Sequence, residues 1–368
     1  MVTEVTIVMD FINTPDEPQG RGSRPGKSSN HHRKRLSRGK NLMKDYFVDR
    51  PIFSEDDFRR RYRMRTHVFN RIMTALCTQD SYWHQKEDAV GLLGLLPQQK
   101  MTVALRMLAY GAAADQCAEI CRMGESTTLE CMKNFCQQVE GLFGEEYLRA
   151  PTPADLRRLL ARGEQRRFPG MIGSIDCMHW EWKNCPSGWG GAYSGRKGRP
   201  TIILEVVASY DTWVCTLSSV CLELKMILTY STFVKTISNP ATQSQKLFAK
   251  KHEAYRKEVE RCFGILKSRW AILRHGARMH KRSTLRSIMM TCIILHNMIV
   301  DDEFVEVEFV ESVEEDLMNP SATQVYDGPV DCNGVRIPFA PVQRDGRNQQ
   351  AFWDRIENLE SAYIHTML

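Results

Sequence analysis

The stretch that most constrains this chain of 368 residues runs from Pro169 to Val214. It opens with a short apolar run, Met171 to Ile175, that ends on Asp176. Met178, Trp180 and Trp182 then alternate with His179, Glu181 and Lys183, the two-residue period of a half-buried strand. After a Gly-rich turn, Thr201 to Ala208 is dense in Ile and Val and predicts another strand. Three consecutive strands are therefore expected, with Asp176 at the end of the first. A carboxylate fixed at a strand end beside an open loop suits a hard divalent cation. An aspartate that merely caps a turn gives the same local pattern.

Four blocks carry a resemblance. They are Gly-Ser-Ile-Asp-Cys-Met-His-Trp-Glu-Trp-Lys-Asn-Cys-Pro (173–186), Lys-Gly-Arg-Pro-Thr-Ile-Ile-Leu-Glu (197–205), Val-Glu-Arg-Cys-Phe-Gly-Ile-Leu (259–266) and Cys-Ile-Ile-Leu-His-Asn-Met-Ile-Val (292–300). In this order they resemble plant PIF/Harbinger-type transposases, the Harbinger-nuclease-like members of the DDE superfamily. The likeness runs from about Phe58 to Asp302. It implies an α+β chain: a helical, helix-turn-helix-like N-terminal region followed by an RNase H-like core. It implies metal-dependent hydrolysis or strand transfer at DNA phosphodiesters, with Mg²⁺ or Mn²⁺ held by three carboxylates. The first acid falls on Asp176 and the third on Glu260, as catalytic and metal-binding residues. DNA is the implied partner, together with a Myb-like DNA-binding protein.

Between Trp213 and Thr229 the chain departs from that family. A longer run that holds the second acid is missing, and only Asp211 and Glu223 lie nearby. The core is therefore expected to be incomplete. Losing one ligand of a two-metal site removes charge neutralisation where the reaction needs it, so this chain is expected not to cleave. The alternative is a non-catalytic DNA- or partner-binding protein derived from a transposase. A third reading is a helical protein whose basic faces are simply solvated. Salt-dependent DNA binding separates the first two from the third, and metal-dependent cleavage separates the first from the second.

Charge is segregated. Gly20 to Lys40 holds eight basic residues and no acid, Lys246 to Arg286 thirteen against three, and Asp301 to Asp316 nine acids and no base. With a net charge of +6, such runs favour a polyanion partner, though each alone reads as a solvated face. Residues 1–41 predict a disordered basic tail in which Arg33, Lys34 and Arg35 form a nuclear-import signal or a phosphate-binding arm. Nuclear localisation is the expectation, and Glu4 and Asp10 interrupt the only early apolar stretch that could start a signal peptide. The twelve Cys include no Cys-x-x-Cys pair and are expected reduced and mostly buried.

From Ser54 the pattern turns helical, with Asp57 as capping partner and an apolar stripe of Phe58, Tyr62, Val68, Phe69 and Ile72 among five arginines. The region 54–148 continues with helices over 98–110, 115–122 and 126–143, the last two separated by a Met-Gly turn. That is a helix-turn-helix outline, and most such hairpins only pack. Lys133, with Ser126, Thr128, Glu130 and Asn134, is expected to face outward and contact DNA. Arg196, Lys197 and Arg199, on a flexible turn with Trp189 and Tyr193, are further DNA candidates. The core, 168–302, closes with an amphipathic helix through Glu260 and an apolar one over 285–300, too short to span a bilayer. Residues 303–368 form an acidic tail, with a final helix expected over 349–365.

Overall fold

Three of the helices start where an N-cap side chain satisfies an orphan amide of the first turn. In the computed structural model, which describes residues 33–194, 198–216 and 236–303, Ser54 Oγ accepts from the Asp57 amide at 3.2 Å and opens α2 (Glu55–Tyr62). Before it lies α1 (Arg35–Tyr46) and after it α3 (Thr66–Gln79), with the break between α2 and α3 falling at Arg63, φ 65°. The expected continuous stripe thus belongs to two helices. Residues 35–41, expected to be disordered, are the first turns of α1, because Leu42 and Tyr46 are buried and draw the helix onto the core.

Then follow α4 (Pro97–Tyr110), α5 (Ala114–Cys121), α6 (Glu125–Tyr147) and α7 (Pro153–Gln165). Thr152 and Asp155 make a reciprocal capping box at α7, with Pro153 in its first turn. Gly163 lies buried in that helix, and a Cβ there would sit 2.6 Å from the Met171 carbonyl oxygen. Backbone cannot yield as a side chain tip does. Gly163→Ala is expected to lower unfolding stability by about 1–3 kcal/mol, measured by urea denaturation. A neutral or stabilising result would show that the Met171 turn shifts freely.

The sheet is a three-stranded antiparallel meander: β1 (Ser174–Glu181), β2 (Thr201–Ala208) and β3 (Val214–Thr216). Its register pairs Ser174 with Ala208 and Glu181 with Thr201. Met178, Trp180, Leu204, Val206 and Ala208 form its buried face. A helical turn, α8 (Gly190–Tyr193), interrupts the β1–β2 connection. Two long helices complete the core: α9 (Gln243–Arg269), capped by Thr242 and Gln245, and α10 (Arg282–Glu303). Helices with a small antiparallel sheet make the chain α+β.

One hydrophobic cluster runs from Leu42 to Ile299, so the helical region and the sheet share a core. α10 is longer than expected, 22 residues, and long and apolar enough to cross a membrane by length and composition. Yet 83% of its apolar window is buried within the protein, against α6 and the sheet. It serves here as the central core helix.

The arginines around α2 and α3 are spent internally. Arg59 pairs with Glu303, Arg60 with Asp57, Arg65 with Asp302 and Arg71 with Glu146. Arg61 reaches the Tyr46 hydroxyl and lies over the Phe53 ring, and Arg63 lies over Tyr110. That basic run is compensated on the spot.

Candidate functional site

Asp176 stands near the start of one continuous strand, not at the end of a first one. The expected break after it does not occur, because Asp176 and Cys177 keep their ladder partners Val206 and Glu205. By strand parity Asp176 shares the inner face with Met178 and Trp180, at the less buried end of that row. Its Oδ1 accepts from the Cys177 amide at 2.8 Å. Two residues earlier, Ser174 Oγ donates to the Tyr255 carbonyl at 3.1 Å and ties this end of β1 to α9.

Glu260 is on α9 but turned away from the packed stripe of Tyr255, Val259, Cys262, Phe263 and Leu266. One residue past Val259 is about 100° round the helix. Its carboxylate is 44% exposed and is held by Arg256, one turn earlier, which also binds Glu253. Asp211, in the turn after β2, is 5% exposed and accepts from Arg158 at 2.8 Å and from the Trp213 amide at 3.2 Å. Glu223 lies outside the described residues.

A two-metal clamp needs several carboxylate oxygens converging on hard cations. Of the three described carboxylates, two are engaged by guanidinium groups, and only Asp176 is not. Among the described residues no three His, Cys, Asp or Glu side chains come together as a metal-holding group. These residues do not fit a two-metal site. Cys177 is no substitute ligand: burial, with the Glu205 and Asp176 charges, pushes its thiol up to about 11. It also points to the opposite face of β1.

The polar centre that sequence reasoning missed lies on α10. Asn297 is fully buried, and its Oδ1 accepts from the Val214 amide at 3.0 Å. Its Nδ2 donates to the Val214 carbonyl at 2.9 Å and the Tyr147 carbonyl at 2.8 Å. The side-chain amide thus pairs β3 as a neighbouring strand would, and joins it to the end of α6. His296 Nε2 lies 2.9 Å from the Thr212 carbonyl, which can only accept, so that nitrogen carries the proton. Nδ1 then accepts from Arg269 at 3.1 Å. Burial first, and Arg269 second, lower the imidazole pKa to about 4. The signal was present in the sequence: two polar residues in an apolar helix must find partners when buried.

The expected DNA contacts are scattered. Arg33 and Lys34 are exposed just ahead of α1. Arg35 begins that helix and is tied to Asp88 at 3.1 Å and the Leu93 carbonyl at 3.0 Å, so it is part of a folded helix and not of an extended tail. Lys133 is half-buried, not outward, and Thr128 is fully buried, since α6 packs on α4 and α5 as well as on α10. The exposed positions of α6 include Glu125, Glu130, Glu145 and Glu146, a poor match for phosphate. Arg199 is 73% exposed and pairs with Glu181 at 3.5 Å. Arg196 and Lys197 lie outside the described residues, as do the tail beyond Glu303 and its expected helix.

The fold and site define an α+β protein with a carboxylate-bearing antiparallel sheet backed by two long helices. Residues 145–227 and 221–306 match the plant transposon protein family, in two overlapping segments that take in the whole sheet, α9 and α10. This match supports a plant transposon-derived protein. Residues 39–77 match a domain of unknown function. No curated protein and no solved structure matches the chain significantly.

Proposed function

We propose that this is a transposase-derived, DDE-nuclease-like protein that binds DNA and, with this sequence, does not cut it. The observation that carries the reading is the split fate of the carboxylates. Asp176 sits on the inner face of β1, as the first acid of an RNase H-like core would, while Glu260 and Asp211 are neutralised by Arg256 and Arg158. The order of a β-meander followed by two long helices is consistent with that core lacking its middle. The two family segments meet at 221–227, inside the interval where the Harbinger-like pattern is interrupted. Charge supports DNA as partner: Arg274 and Arg278 are exposed cations that make no ion pair among the described residues.

The test is a plasmid-nicking assay with Mg²⁺ or Mn²⁺, comparing this chain with Asp176→Ala. The expected result is no difference between them. Removing one ligand of such a site costs several kcal/mol of transition-state stabilisation, on the order of a thousandfold or more in rate. Metal-dependent nicking that Asp176→Ala abolishes would overturn the reading and point to Glu223 or a released Asp211 as the replacement acid.

A further inference from the structure

Basic stretches along the chain meet different fates. Arginines 59 to 71 are largely cancelled by acids or covered by rings. Arg35 is held by Asp88. The stretch from Arg274 to Arg286 is compensated only in part, with Arg286 paired to Glu140. It carries Arg274, Arg278, Lys281, Arg282 and Arg286, with His275 and His280, and no acid. Arg274, His275, Arg278, His280 and Lys281 are exposed.

This stretch is fixed to the sheet. Its Ala277 amide donates to the Glu181 carbonyl at 2.7 Å, and the Lys183 amide donates to the Ala277 carbonyl at 2.9 Å. The result is a parallel bridge at the free edge of β1. Three side chains of β1 and its continuation then hold the backbone on either side. Trp180 Nε1 donates to the His275 carbonyl at 2.8 Å, Trp182 Nε1 to the Met279 carbonyl at 2.8 Å, and Asn184 Nδ2 to the Arg278 carbonyl at 2.6 Å. Gly276 is open for a reason: a Cβ there would lie 2.5 Å from Lys183 Cγ, so the lysine stem crosses it. That places the Lys183 stem on the backbone between Arg274 and Arg278. These three make no ion pair among the described residues. Trp189, 42% exposed, lies 6.1 Å from the Trp182 ring centre to centre, with the Arg282 guanidinium 4.9 Å from its own ring centre, and Arg282 also donates to the Tyr193 hydroxyl at 2.9 Å.

We infer that Lys183, Arg274 and Arg278, with Trp189 at their margin, form a preorganised surface for the phosphate backbone of DNA. The cations stand on backbone already locked by indole and amide donors, so binding need not order a loop. Uncompensated Lys and Arg on a rigid edge release counterions from a duplex on contact, and an exposed indole beside them accepts a base or sugar face. The surface lies on the sheet edge, remote in sequence from the helix-turn-helix outline of α5 and α6, whose exposed acids disfavour phosphate. It rests on the DNA-binding function proposed for the chain and gives that binding its place.

The experiment titrates a fluorescein-labelled DNA duplex of arbitrary sequence with the full chain and follows anisotropy between about 50 and 200 mM salt. The triple variant Lys183→Gln/Arg274→Gln/Arg278→Gln is compared with wild type, with Lys133→Ala and with the charge-keeping pair Arg274→Lys/Arg278→Lys. Each lost phosphate contact removes about 0.9 from the slope of log affinity against log salt. The triple variant is expected to flatten the slope by about 2 to 3 and weaken binding about tenfold or more at moderate salt. The lysine pair should stay close to wild type, and an unchanged melting temperature shows that the triple variant folds. A wild-type chain that binds with a steep slope while the triple variant matches it would overturn this surface and leave the DNA reading standing. A wild-type chain that does not bind duplex at all overturns both.

Discussion

Asn297→Ala is expected to remove about 3–5 kcal/mol of unfolding free energy in a urea titration, at the upper end of what a single substitution costs. The side chain makes three hydrogen bonds at zero exposure, two to the backbone of Val214 and one to the Tyr147 carbonyl. Alanine leaves a donor and two acceptors of the main chain buried without partners, at about 1–3 kcal/mol each, with some relief if water enters the space. Because a domain of ordinary stability has only about 5–15 kcal/mol to lose, the variant should be near its folding threshold. It should also free β3, since among the described residues that short strand pairs only with β2 on its other side. Gly141→Ala, at an exposed helical site where a Cβ meets nothing, is the control. A loss under about 1 kcal/mol for Asn297→Ala would mean that the amide is incidental and that packing of β3 on α10 does the holding.

Acid should act through the neighbouring residue. His296 is neutral in the folded chain, with a pKa lowered to about 4 by burial and by Arg269. In the unfolded chain it titrates near its ordinary value of about 6.5. Between those values the unfolded state binds the extra proton, so stability rises with pH across that window. The His296 contribution is complete above about pH 6.5 and is lost progressively as pH falls through about 4, for a total of about 3 kcal/mol. The measurement is unfolding free energy at a series of pH values for wild type and His296→Gln. The variant is expected to start lower, because the bonds to Thr212 and Arg269 are disturbed, and to lose less stability over the window. Parallel curves would remove His296 as the acid-sensitive group. Together these predictions cast the His-Asn pair of α10 as the clamp that positions the turn from Tyr210 to Val214, with Asp211 locked into that turn by Arg158.

Much of the local architecture was legible along the chain. Ser54 with Asp57 announces a helix start, the alternation from Met178 to Trp182 announces a strand, and the stripe through Val259 and Phe263 announces α9. Glu260 beside that stripe was legible too, as a residue about 100° round from a packed position of an amphipathic helix. The join of two short runs into one strand at Asp176 was not legible, since it depends on β2 supplying ladder partners for both halves. Nor was the strain at Arg63, which splits α2 from α3 with a left-handed residue that is not glycine.

The sequence by itself determined the period of each element, the blocks that resemble a plant transposon protein, and the segregation of charge into runs. Periodicity and composition are properties of neighbouring residues and survive without a fold. Only the tertiary structure decided which charges remain. Arg59 meets Glu303 across 244 residues of chain, Arg158 meets Asp211 across 53, and Arg35 meets Asp88 across the same distance. Coulomb attraction falls with distance in space, not along the chain. A run of arginines is therefore spent or available according to what packing brings beside it, and that is why the basic edge at Arg274 and Arg278 is visible only in the folded molecule.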